Sequence, residues 1–539
     1  MSGAALGAAV AAVLPLVYLV IRSFERGWAG FADTVVTGQV LALLTRTLGL
    51  VVGVVAVATT LALPMAWLVA RTDLPRRRLW TVVGALPLVF PSYVAAFSLV
   101  AVLGPTGRLQ QLLARWGVER LPDLAYGYSG ALLLLSLFTY PYLYLLLVAA
   151  FRDLDPALEE SSRSLGIGRR RTFFRVVVPQ LRPALYSGIL LIALYTLSDF
   201  GGVSIVRFNT FTLSIFQAYQ ALLDRTVAAS LAMLLALLSF VLIFAEARLI
   251  RGIRPHRTGV ARPSPPVRLG KWKWPATTLL AAVALLNLGL PLLTVTVWGV
   301  HAFLADNPLT GPSGQSVGVA AVRSLGVAAA AAVVAVALAL PIVTWAVRYP
   351  SRLGRWVERL AHSGFALPGL VLALSLVFMS TRMARPLYQS LTLLVVAYVV
   401  RFLPEALAAT RAAMVTVSPH FEEVARSLGR RPMAILSSLT IPLVRPGLLA
   451  GAGLVFLTTM KELPATLILR PTGFETLATR IWSNASEGIY SQAAVPSLWL
   501  LVMSALPMYW LVIRPALAPR KSTRAMGDLL EAIGVGEAE

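Results

Sequence analysis

The chain has 539 residues, 58% of them hydrophobic and 13% charged, with a mean hydropathy of +0.76 and a net charge of +23. That composition leaves too little polar surface for a water-soluble globule, and apolar runs of about 20 residues recur along the chain. Zero cysteines exclude disulfides, thiolate metal ligands and cysteine nucleophiles; four scattered histidines make no metal motif, and no P-loop is present.

The first apolar run, GAALGAAVAAVLPLVYLVI (3–21), has no basic stretch before it, while Arg22 and Arg26 follow it. It reads as an uncleaved first span rather than a signal peptide. Its local charge opposes an inside N-terminus, but later loops outvote it. Roughly 32 of the 47 Lys and Arg fall on one side, near 71–78, 152–182, 248–273, 348–359, 411–445 and 514–524, against about 12 on the other. Those loops are therefore expected in the cytoplasm. The same bias accounts for the positive charge without nucleic acid, since no basic stretch carries the aromatic interleaving of a single-strand site.

Further along, the chain repeats itself. RTLGLVVGVVAVATTLALPMAWLVAR (46–71) aligns with RSLGVAAAAAVVAVALALPIVTWAVR (323–348), matching Pro64 with Pro341 and Arg71 with Arg348. The offset of 277 holds to Pro91/Pro368 and becomes 263 from Pro141/Pro404 through Gly188/Gly451 to Arg207/Arg470. The difference sits in a long loop, GPTGRLQQLLARWGVERLPDLAYG, that the second half shortens to TRMARPLYQ. The expected fold is all-α and polytopic, with about twelve spans in two parallel-repeat halves of about six, related by a pseudo-two-fold axis along the membrane normal. The halves are read as 1–250 and 276–515, joined by a Pro- and Arg-rich linker (251–275) and followed by a cytoplasmic tail (516–539).

One duplicated stretch is polar. LEESSRSLGIGR (158–169) and FEEVARSLGRRP (421–432) lie in loops 155–182 and 418–445. Asp155-Pro156 and Ser418-Pro419 read as a cap followed by proline at the first helical position. Paired glutamates sit at the positive helix start, and Gly166 or Gly429 stops the helix. Leu158, Ser162 and Leu165 should share one face, as should Phe421, Ala425 and Leu428. A second basic segment is expected to stop at Pro179 or Pro442.

The two loops resemble the E-A-A-x-x-x-G-x(9)-I-x-L-P loop of permease subunits of bacterial ABC importers. Its Glu falls at Glu160 and Glu423, its Gly at Gly166 and Gly429, and its Pro at Pro179 and Pro442; Ser161-Ser162 and Val424-Ala425 replace the alanine pair. The resemblance implies a type I-like permease in the bacterial inner membrane. It implies ATPase coupling through Glu160, Arg163, Leu165, Gly166 and Pro179, and through Glu423, Arg426, Leu428, Gly429 and Pro442. It further implies a homodimeric cytoplasmic ABC ATPase that carries the ATP and Mg, a periplasmic or lipid-anchored substrate-binding protein, and no cofactor or catalysis on this chain. KELPATLILRPTGFETLATRIW (461–482) is similar to permeases of ferric iron importers, whose halves are often fused. Thiamine permeases share the fused architecture. An ion-coupled secondary transporter is the reading from a different class, disfavoured by the paired loops.

Asp199 and Glu462 occupy equivalent positions near the outer end of the span after each loop, and membrane-depth carboxylates are costly unless they face protein or water. They read as opposite walls of a cation path, or as structural ion pairs with Lys461 beside Glu462. Arg401 and Glu405 read as an i, i+4 intramembrane salt bridge around Pro404. Tyr398 could offer a phenol oxygen to ferric iron but reads first as a core tyrosine. No resident metal site is assigned.

Overall fold

The structure, a computed structural model, describes residues 2–105, 107–116, 123–154, 156–220, 224–251, 266–305, 316–349, 351–362, 364 and 367–510. Among these residues nine helices are long and apolar enough to cross a membrane, from Gly38–Arg71 to Tyr490–Met508. Arg169–Gln180 and Arg182–Ser198, meeting at 65°, add a bent tenth, and Val13–Ser23 and Gly369–Met383 are shorter apolar helices. These twelve segments fall six to each half. Among the described residues the only β pairing is an isolated bridge between Thr72 and Val267.

The sequence repeat is also a structural repeat. Ser92–Leu103 and Gly369–Met383 start 277 residues apart, and the π turns Phe173–Val177 and Leu436–Thr440 lie 263 apart. Ala58 and Ala62 on Gly38–Arg71 are fully buried, as are their mates Ala335 and Ala339 on Val317–Arg348. Small residues at i, i+4 spacing let neighbouring helices approach closely where lipid supplies no hydrophobic drive. Gly188 and Gly451 serve the same end: a Cβ there would sit 3.0 Å from Leu143 Cα and 3.3 Å from Ala406 Cα.

The two hydrophobic cores do not coincide with the two halves of the chain. One core joins Leu50–Val206 residues to Val295, Ile481 and Leu500 of the second half. The other joins residues 327–469 to Leu19, Leu43 and Leu231 of the first. The N-terminal helix Ser2–Ser23 packs on Gly369–Met383 and Val317–Arg348, while Leu290–Ala305 packs on Ser92–Leu103. Each half thus lends its first and last spans to the other, which resists separation of the halves.

The described end of the linker is tied to the first half. Val267 N–H donates to Arg71 O at 2.8 Å, Leu269 N–H to Asp73 Oδ1 at 2.9 Å, and Lys273 Nζ lies 2.8 Å from Asp73 Oδ2. The Lys273 ammonium and the Leu269 N–H hold the Asp73 carboxyl below the usual carboxylate range. Residues 252–265 of the linker and the whole 516–539 tail lie outside the described residues.

Candidate functional sites: two duplicated loop helices and a charged cavity

The duplicated loops form short helices, Pro156–Ser164 and His420–Ser427. Pro156 is the first helical residue as expected, and Asp155 lies outside the described residues. In the second copy Pro419 stands just before the helix, and Ser418 Oγ accepts from His420 N–H at a long 3.4 Å. Gly166 and Gly429 adopt φ +78° and +76°. Gly166 N–H donates to Arg163 O while Ile167 N–H donates to Ser162 O; Gly429 and Arg430 repeat this onto Arg426 and Ala425. This is the double hydrogen bond of a left-handed helix stop, the conformation glycine adopts at least cost.

Leu165 and Leu428 are 79% and 78% exposed, and Leu158, Phe421 and Val424 are about half exposed. Fully burying one such leucine in a partner is worth about 1.5–3 kcal/mol. The expected face needs one correction: Ser162 is buried, its hydroxyl 3.0 Å from Thr172 Oγ1, so the exposed strip in that copy is Leu158 and Leu165 alone. The second segment also differs from expectation. It does not stop at Pro442 but runs through the π turn Leu436–Thr440 into the span Ile441–Met460, while the first copy bends at Leu181. Proline has no N–H to donate, and the wider turn before it absorbs the missing hydrogen bond.

The paired glutamates divide their work. Glu160 and Glu423 are exposed, whereas Glu159 and Glu422 are buried. Glu159 pairs with Arg71 at the end of Gly38–Arg71, and Glu422 pairs with Arg348 Nε, 3.0 Å away, at the end of Val317–Arg348. Arg163 and Arg426 each add a contact at 3.6 Å to the same buried carboxylate. The glutamate and both arginines of this joint are repeated at the offsets of the sequence. Glu159, Glu422, Arg71 and Arg348 were not among the residues singled out from the sequence, although the duplicated Glu-Glu and the two aligned arginines carried the signal.

Between the halves lies a cavity of about 500 Å³. Asp199, Arg401, Glu405, Lys461 and Glu462 supply its charge, and Phe90, Tyr93, Phe138, Tyr142 and Phe200 are among its aromatic lining. Asp199 Oδ1 accepts from Gly202 and Val203 N–H at 3.0 and 3.1 Å, capping Gly201–Ile205. Glu462 Oε1 likewise accepts from Ala465 N–H at 3.1 Å at the start of Pro464–Leu469. Two expected pairings are corrected here. Arg401 pairs with Glu462, Nη1 to Oε1 at 3.1 Å, and not with Glu405, which accepts instead from Thr458 Oγ1 at 3.0 Å. Lys461 does not serve Glu462; its Nζ donates to Leu88 O of the other half at 2.8 Å. Tyr398 is a core residue, 1% exposed, with its hydroxyl 2.6 Å from Thr466 Oγ1. Among the described residues no three His, Cys, Asp or Glu side chains converge as a metal site.

Two related helical halves surround a charged central cavity, and each presents a glycine-stopped apolar knob, the arrangement of a duplicated membrane permease. The chain belongs to the family described as binding-protein-dependent transport system inner membrane component, which matches residues 58–255 and 331–514, one copy in each half. It is accordingly a multi-pass inner membrane protein. It is 33% identical over 504 residues to the Fe(3+)-transport system permease protein FbpB 2 of Haemophilus influenzae, across 92% of this chain and 94% of that protein. The ferric transport system permease protein FbpB of Actinobacillus pleuropneumoniae is 25% identical across 92% of this chain and 75% of its own length. The sulfate transport system permease protein CysT of Salmonella typhimurium is 29% identical across 43% of this chain and 84% of its own length.

Proposed function

We propose that this chain is the fused permease of an ATP-driven importer of ferric iron. The observation that carries the reading is the 33% identity spread over 92% of the chain with a relative named for Fe(3+) transport. The sulfate relative matches over less than half of the chain. Charge points the same way: the cavity holds the carboxylates of Asp199, Glu405 and Glu462 against two cations, Arg401 and Lys461. A trivalent cation needs counter-charge in a medium of low dielectric, and these carboxyl groups are placed to supply it. Iron is cargo in this reading and passes through without a resident site.

The work cycle follows from the joints. A homodimeric ATPase takes Leu165 and Leu428 in two clefts, with Glu160 and Glu423 on its surface. When ATP closes that dimer, the two helices move toward each other. The buried pairs Glu159–Arg71 and Glu422–Arg348 pass the displacement to the ends of two long spans. The spans are a two-state element, and nucleotide biases which side the cavity faces. A binding protein delivers iron on the side opposite the coupling helices.

The aromatic lining favours one second reading, an organic cation of thiamine's kind, through cation–π contact. Vesicles reconstituted with the chain, its ATPase and its binding protein decide between them. ATP-dependent uptake of ferric iron, and neither thiamine nor sulfate, is expected; thiamine or sulfate uptake without iron uptake overturns the ferric reading.

A further inference from the structure

The two walls of the cavity are unequal although the fold is duplicated. At the offset of 263, Arg401, Glu405, Thr458 and Lys461 correspond to Phe138, Tyr142, Tyr195 and Ser198. Only Asp199 and Glu462 keep their charge in both halves. The second half therefore carries an added set of charged groups that the repeat does not require.

Lys461 stands apart within that set. It follows Met460 at the end of its span, beside Glu462, and its ammonium reaches a backbone carbonyl 373 residues away, Leu88 O at 2.8 Å. Leu88 belongs to the turn Leu86–Val89 of the first half. The equivalent Ser198 makes no such reach: its hydroxyl donates to Leu194 O and Tyr195 O of its own helix. The cavity is closed where Asp199 and Glu462 sit, among buried Ser92, Tyr93, Gly201 and Leu463. Toward the coupling helices its walls, at Tyr142, Leu145, Leu191 and Leu454, are only half buried. The cross-half tie adjoins that closed end: Lys461 and Leu88 are half-buried, and Lys461 O accepts from the Tyr93 hydroxyl at 3.5 Å.

We propose that Lys461 is the gating residue of transport: a tethered cation that ties the two halves shut beside the cavity carboxylates until a substrate cation entering the cavity drives its ammonium off Leu88 O by charge repulsion. Its ammonium is compact and rides on a flexible stem, so it can leave Leu88 O without rearranging a helix. The carboxylates of Glu405 and Glu462 then face the arriving cation. This inference deepens the ferric reading and takes from it the cationic nature of the cargo.

The chain has no cysteine, so a single Ser198→Cys reporter in the cavity is unambiguous. A membrane-impermeant thiol reagent is added outside right-side-out vesicles that hold the full chain with its ATPase. Lys461→Met should speed labelling of the reporter about tenfold or more, the effect of losing one charge-assisted hydrogen bond. Lys461→Arg should restore slow labelling, because it keeps a charged donor. Should the methionine variant fail to fold, Lys461→Gln gives the same reading. Unchanged labelling in a folded Met or Gln variant overturns the proposal, and so does labelling of the Arg variant as fast as that of Met. The readout needs no substrate, so it separates from the ferric reading. Fast labelling in Met with no ferric uptake by the unsubstituted chain refutes iron and leaves the gate; ferric uptake with unchanged labelling refutes the gate alone.

Discussion

Glu422 and Glu423 are neighbours with opposite expected phenotypes. The Glu422 carboxylate is held by Arg348 Nε at 3.0 Å and Thr440 Oγ1 at 3.2 Å, with Arg426 at 3.6 Å, and the Glu422 and Arg348 side chains are 8% and 5% exposed. Glu422→Gln removes the charge and leaves Arg348 buried without its counter-ion. Breaking a buried pair in this way costs about 3–5 kcal/mol. Arg348 keeps Val417 O at 2.9 Å, and the amide oxygen can still accept one hydrogen bond, so the lower end, about 3 kcal/mol, is expected. The Glu423 side chain is 61% exposed and pairs only with His420 among the contacts described. Its loss should cost about 0–1 kcal/mol. Thermal unfolding of the purified chain, run beside ATPase copurification, separates the two. Glu422→Gln should lower the unfolding midpoint clearly, while Glu423→Gln should leave it in place and weaken ATPase retention. Equal destabilisation by both, or a fully stable Glu422→Gln, would refute the division of labour between the paired glutamates.

Gly429→Val, and likewise Gly166→Val, should leave a folded chain whose partner ATPase hydrolyses ATP without uptake. A Cβ at either glycine meets nothing within 4 Å, so the penalty is conformational, about 1–2 kcal/mol at positive φ. Normal uptake by both valine variants would remove the docking assignment. Asp199→Asn keeps an oxygen for the Gly202 and Val203 N–H groups while removing charge, so iron uptake should fall about tenfold or more with little loss of folded protein. Glu462→Gln should also lose stability because Arg401 stays behind, and full uptake by the double amide would sink the path through these acids. Single cysteines at 161, 257 and 424 should be protected from external label while positions in the 104–128 loop react. External labelling of position 424 would reverse the orientation.

What the sequence made legible was whatever is local or repeated. The glycine stops, the duplicated order of apolar segments and the symmetry of Asp199 with Glu462 follow from residue types at fixed offsets. Which glutamate of each pair turns inward is a matter of one residue, about 100° around a helix, and depends on where Arg71 and Arg348 arrive from 88 and 74 residues away. The i, i+4 expectation for Arg401 and Glu405 failed for a related reason. Such helix-surface pairs are worth only a few tenths of a kcal/mol, while a buried carboxylate such as Glu462 demands a counter-ion. Lys461 and Glu462, adjacent in sequence, diverge in direction, so adjacency gave no pairing. The exchange of terminal spans between the two cores left no trace in hydropathy, because every span is apolar whichever half it packs against.

The measurement that bears most directly on the account is uptake of ferric iron into vesicles that contain this chain, its binding protein and its ATPase, compared with vesicles lacking the ATPase. Uptake that requires ATP and the ATPase, and that is lost when Leu165 and Leu428 are both replaced by aspartate, is the predicted result. Iron uptake that persists without the ATPase, driven by a proton or sodium gradient, would contradict it.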